Sequence, residues 1–126
     1  MALFTIVVDD YDAAIDFFVR IVGFELVEDT PALAEDGRAK RWVVVRPANA
    51  ETGVLLALVD GEDQAARVGD QVSGRVGFFL RVDDFDAAFE HMRSCGVEFL
   101  GSPREEPYGK LVVFVDIAGN RWDLLG

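Results

Sequence analysis

One acid, Asp123, stands among apolar neighbours in RWDLL near the end of the chain. A carboxylate set against apolar walls can serve as a metal ligand, a general base or a hydrogen-bond acceptor for a bound molecule. Arg121 precedes it by two residues, on the same face of a strand by alternation, and is placed to pair with it. Upstream, SPREEPYGK carries Arg104, Glu105, Glu106 and Tyr108 between two prolines that restrict the backbone. There Arg104 could fix an anionic group and Tyr108 could stack on or hydrogen-bond to the same molecule. Glu106 joins Asp123 as a candidate acid or base. The plainer alternative is a rigid surface loop whose Arg and Glu pair with one another.

A third group closes DTPALAEDGRAKRW, which ends on Arg38, Lys40, Arg41 and Trp42. Trp42 beside Arg41 would offer a flat apolar wall and a cation, a pairing suited to a planar or carboxylated small molecule. The competing reading is a solvated basic stretch among acidic neighbours. Gln71 and Arg75 are further polar candidates. The single histidine, His91, lies between Ala88 and Met92 and reads as a partly exposed helix residue. The single cysteine, Cys95, reads as a helix-end packing residue and cannot form an internal disulfide, which fits a reducing compartment.

The chain that must position these residues has 126 of them, 51% hydrophobic, enough for one domain with a real core. Its net charge of −11 repels phosphate backbones and anionic lipid, and no basic cluster overrides it, so neither nucleic acid nor membrane is expected as a partner. MALFTIVVDDYD lacks a basic leader and turns acidic early, which argues against a signal peptide or spanning helix and for a cytoplasmic protein.

An internal repeat fixes the architecture. IVVDDYDAAIDFFVRIVGFELVE from Ile6 matches LRVDDFDAAFEHMRSCGVEFLG from Leu80, at an offset of 74 that falls to 73 before Gly23 and Gly96. In each copy apolar residues recur at helical spacing (Tyr11, Ala14, Ile15, Phe18 and Val22; Phe85, Ala88, Phe89 and Met92). Asp10 and Asp84 are placed as N-caps, Asp12 and Asp86 suit the first turn, and the two glycines stop the helices. A short strand (Phe24 to Glu28; Val97 to Leu100), a polar loop and two strands joined by a turn follow in each half. The pairs are KRWVVVRP with GVLLALV and GKLVVFVD with NRWDLL. Each half reads β-α-β-β-β, an α+β fold with module one at 1–60, a linker at 61–74 and module two at 75–126. One helix covers only one face of each sheet. The uncovered faces are expected to curve as a mixed sheet around a shared cleft with helices outside.

In these paired modules, the VVDDYDAAIDFF and RVDDFDAAF helix starts, the GFELVE and GVEFL strands and the final DIAGNRWDLL, the chain resembles the vicinal oxygen chelate superfamily. That superfamily includes glyoxalases, extradiol dioxygenases and bleomycin-binding resistance proteins. Metal-using members supply ligands from the first and last strands of both modules, which the resemblance places at Leu3, Ala57, Gly77 and Asp123. Leucine, alanine and glycine side chains have no lone pair to offer, and a catalytic divalent ion needs about three protein ligands, so no metal or other cofactor is expected. The resemblance then implies a metal-independent small-molecule binder, homodimeric like the drug-sequestering members, with Trp42, Arg41, Phe79, Arg104, Tyr108, Arg121 and Asp123 around the ligand. The second reading is a glyoxalase-like lyase or isomerase using Asp123 or Glu106 as base and Arg104 as electrophile. A dioxygenase is disfavoured by the missing ligand set, and a regulatory or interaction module is the third possibility.

Overall fold

In the computed structural model, which describes residues 2–126, each half of the chain forms its own four-stranded mixed sheet with a helix between its first and second strands. The first contains β1 (Ala2–Val8), α1 (Tyr11–Asp16), β2 (Glu25–Leu33), β3 (Ala39–Arg46) and β4 (Thr52–Leu58). After a short helix, α2 (Glu62–Ala65), the second contains β5 (Val76–Arg81), α3 (Phe85–Ser94), β6 (Phe99–Glu106), β7 (Gly109–Val115) and β8 (Arg121–Leu125). The sheet orders are the same, β1-β4-β3-β2 and β5-β8-β7-β6, with β1 parallel to β4 and β5 parallel to β8. The α+β fold of two tandem β-α-β-β-β modules is thus the observed one. By compactness the first unit ends at Val68 and the second runs Gly69–Gly126.

Both helices begin as their sequences require. Asp10 accepts from the Ala13 N–H at 2.8 Å and Asp84 from the Ala87 N–H at 3.0 Å. Gly23 and Gly96 end them at φ 94° and 85°, a region that suits glycine. The first helix departs from regular spacing, because α1 runs on into a π-helical turn, Phe17–Ile21. The wider turn lets the consecutive Phe17 and Phe18 both point inward, edge to face with ring centroids 5.3 Å apart.

Each unit buries its own core between helix and sheet. Ile6, Val8, Phe18, Val43, Val45 and Leu56 fill the first; Leu80, Met92, Phe114, Trp122 and Leu124 fill the second. Full burial of such side chains contributes about 1.5–3 kcal/mol each. Trp122 packs between Phe78 and Phe114, at 4.9 and 5.6 Å.

The strands following the helices are longer than expected. The polar stretches taken for loops continue as β2, to Leu33, and β6, to Glu106. Each is an edge strand, paired on one side only, so its side chains can stay polar and exposed while its backbone is satisfied. Pro31 is tolerated at such an edge, and Pro103 falls in the irregular stretch between Leu100 and Arg104. SPREEPYGK is therefore a β-hairpin turning at Pro107 and Tyr108, not an open loop. The other expected hairpin turn, DIAGN, is organised by the buried Asp116. Its Oδ1 accepts from the N–H groups of Ala118, Gly119 and Asn120, each at 2.9 Å, and its Oδ2 from Trp122 Nε1 at 2.8 Å.

Candidate functional site

Strand alternation divides each sheet into a helix-side face and an open face. In β8, Trp122 and Leu124 are buried on the helix side, which puts Arg121, Asp123 and Leu125 on the open face. The ladders set Phe79, Asp123, Val113 and Leu100 opposite one another in a single row across the sheet. Asp123 is half-buried in that row, and the Phe79 ring beside it is 65% exposed. No ion pair joins Asp123 to Arg121 among the described residues, although they share the face. The pairing raised from sequence is not formed. What remains is a carboxylate on an apolar platform.

The positions that resemblance reserves for a metal do not fit one. Leu3 lies in β1 and Gly77 is the extra residue of a bulge in β5. The register corrects the third position. Ile6 pairs with Leu56 as Leu80 pairs with Leu124, so the counterpart of Asp123 is Leu55 rather than Ala57. Leucine offers a metal no more than alanine does. A Cβ built on Gly77 would meet Val72 Cγ2 at 2.9 Å, so the valine already fills the space that a ligand side chain there would need. Among the described residues no group of three or more His, Cys, Asp or Glu is placed to hold a metal ion.

In the first unit the β3–β4 ladder runs from Val43–Leu56 to Val45–Val54. Beyond it the strand ends enclose a hollow of about 320 Å³, within reach of the size range of small-molecule sites. Leu55 and Ala57 form apolar floor, Trp42 is 39% exposed at the side, and Arg38, Lys40, Asp60 and Gln64 supply polar edges. Arg41 also borders it but is committed elsewhere. Its guanidinium reaches Asp29 at 2.7 Å and Asp12 at 2.9 Å and lies 5.0 Å from the Tyr11 ring centre on the helix side. These carboxylates push its pKa further up, Asp29 foremost, and Arg41 in turn holds that of Asp29 below the usual range, chiefly through the hydrogen bond between them. Lys40, like Trp42 and unlike Arg41, falls on the open-face parity of β3.

The remaining candidates lie apart from these features. Arg104 is exposed in β6 and Tyr108 is exposed at the hairpin tip, and neither side chain forms an ion pair or hydrogen bond among the described residues. Glu106 borders a second hollow of about 470 Å³ with Asp83, Asp84, Asp86, Glu105 and Lys110. There Lys110 Nζ binds Asp86 at 2.9 Å, the counterpart of Arg41 on Asp12, so both modules tie a strand cation to the first turn of their helix. That pair holds the lysine pKa up. His91 is exposed on α3 with Cys95 Sγ 3.8 Å from its Nε2. Gln71 is half-buried and Arg75 exposed, both ahead of β5. Sequence reasoning missed Val72 against Gly77 and Tyr11 under Arg41, since neither contact is between sequence neighbours. The acidic DIAGN turn was the available signal for Asp116.

Residues 1–124 match the model of the Glyoxalase/Bleomycin resistance protein/Dioxygenase superfamily, and the chain belongs to that family. An uncharacterized protein of Shewanella frigidimarina is 44% identical over 95% of this chain and 87% of its own. Among solved structures, UcmS2 superposes with a TM-score of 0.80 at 30% identity, covering 99% of this chain and 96% of that one. TnmS3, an antibiotic binding protein from Streptomyces sp. CB03234, superposes with a TM-score of 0.73 at 34% identity, covering 99% and 93%. No helix among the described residues is long and apolar enough to cross a membrane.

Proposed function

We propose that this protein binds a small, largely planar molecule without the help of a metal, as a cytoplasmic homodimer in which residues 1–126 act as one domain. The observation that carries the reading is Trp42, a large aromatic left exposed beside a hollow floored by Leu55 and Ala57. Phe79 beside Asp123 offers a second aromatic surface with a hydrogen-bond acceptor on the other module. The likeness to an antibiotic binding protein at 34% identity supports the ligand class. Metal independence is supported by the donor chemistry at Leu3, Leu55 and Gly77 and by Val72 in the space beside the glycine. Calorimetric titration of purified protein with a panel of planar compounds tests it. Binding that survives EDTA is expected, and the absence of any binder in the panel counts against it.

A second reading is favoured by one observation: Asp123 has no hydrogen-bond partner among the described residues and sits where a substrate C–H or O–H could meet it. A proton-transfer enzyme would use that carboxylate as base. Loss of turnover with retained binding in Asp123→Asn would support it; a substrate panel that is bound but never converted would oppose it.

A further inference from the structure

The lining of the hollow beside Trp42 reverses the charge balance of the protein. The chain carries 23 acidic and 12 basic side chains, yet this lining holds Arg38, Lys40 and Arg41 against Asp60 alone. The hollow of the second module is the reverse, with Asp83, Asp84, Asp86, Glu105 and Glu106 against Lys110. Of the two hollows, the one beside Trp42 is therefore the better placed to take an anion, through whichever of its cations is not already paired.

The three cations differ in availability. Arg41 is held by Asp12 and Asp29 and stacks over Tyr11, so its charge is already matched. Arg38 reaches Asp36 at 2.6 Å and Asp60 at 2.9 Å, but all three side chains are more than half exposed, and pairs of that kind exchange readily with solvent or a ligand. The side chain of Lys40 forms no ion pair or hydrogen bond among the described residues. It precedes Trp42 by two along β3, so their Cβ atoms project to the same face roughly 7 Å apart. That is an ammonium group within reach of a substituent on a ring lying against the indole.

We infer that the hollow takes a planar aromatic acid, its ring against Trp42 and its carboxylate on Lys40, with Arg38 exchanging Asp60 for the same anion. The inference rests on the small-molecule-binding reading and narrows it. Asp60 keeps its hydrogen bond from its own N–H to Gln64 Oε1, so the release of Arg38 leaves the turn before α2 in place. An amine in the same place would meet the unpaired Lys40 and be disfavoured.

The test is isothermal titration of the full chain with three probes of one shape: 2-naphthoate, 2-naphthamide and 2-naphthylmethylammonium. The acid is expected to bind tightest and the amine weakest. Lys40→Gln is expected to weaken the acid roughly tenfold while leaving the amide unchanged, as loss of one charge-assisted hydrogen bond would. Trp42→Ala is expected to weaken acid and amide alike. Equal affinity for all three probes, preference for the amine, or indifference of the acid to Lys40→Gln overturns the anion assignment and leaves the binder reading standing. Failure of all three to bind overturns the binder reading at this hollow as well. Lys40 is an exposed strand residue, so the variant keeps its fold, and an unchanged melting temperature verifies this.

Discussion

Arg41 and Trp42 are neighbours in sequence but project from opposite faces of β3. The guanidinium goes to Asp12 and Asp29 on the helix side, and the indole goes to the open side above Leu55 and Ala57. One residue therefore fastens helix to sheet while the next is left for a ligand.

Arg41→Ala should lower the melting temperature by a few degrees and leave ligand affinity within twofold, because the cation is structural. Its carboxylate partner sets the pH dependence. Asp29 is held below the ordinary carboxylate value of 3.8 by Arg41, so its contribution is present above pH 3.8 and is lost as pH falls through the depressed value. Asp29→Asn should flatten that part of a melting-temperature profile against pH. An unchanged profile would show that Arg41 is not paired in solution.

Asp116 gathers three backbone N–H groups and the Trp122 indole N–H around one buried carboxylate. Asp116→Ala strands these donors and should destabilise the protein by about 3 kcal/mol in urea denaturation, with a smaller loss for Asp116→Asn. Burial pushes this carboxyl above 3.8 against the pull of its donors. The native state then holds the proton more tightly than the unfolded chain, and stability falls as pH rises through the window above 3.8. Removal of that slope in Asp116→Asn checks the sign.

Phe79→Ala on the open face should change stability by less than about 0.5 kcal/mol, since the ring is 65% exposed. If the second module contributes to binding, the same change weakens a planar ligand several-fold by calorimetry. Unchanged affinity would confine the site to the Trp42 hollow.

Gly77→Ala is expected to lower the melting temperature by a few degrees, and Val72→Ala in the same chain to restore part of the loss, because Val72 fills the space a side chain at Gly77 requires. An unchanged melting temperature in Gly77→Ala alone would contradict this.

Much of the fold was legible because local signals and the repeat agreed. The Asp10 and Asp84 caps, the Gly23 and Gly96 stops and the helical spacing of apolar residues all specify the same β-α-β-β-β unit. Edge strands were harder to read. β2 and β6 are held by backbone pairing on one side, which leaves no apolar alternation in Glu28 to Leu33 or Ser102 to Glu106. Counting along the repeat sets the metal position of β4 at Ala57, two residues beyond the Leu55 that the strand register gives. Such a shift preserves strand parity, so no periodicity exposes it. The Trp42 site was visible as composition, but its grouping was not. Adjacent residues in a strand face opposite ways, which removes Arg41 from the indole and leaves Lys40 in its place.

The two tryptophans make metal-independent binding measurable in one spectrum. Trp122 is buried at 4% exposure with its indole N–H on Asp116, whereas Trp42 lies open beside the hollow. A nitrogen-correlated proton spectrum recorded during titration with 2-naphthoate in the presence of EDTA should shift the Trp42 indole resonance and leave that of Trp122 in place. Two stationary resonances with 2-naphthoate and with its amide and amine analogues alike, or a Trp42 shift that appears only after zinc is supplied, would contradict a metal-independent small-molecule site.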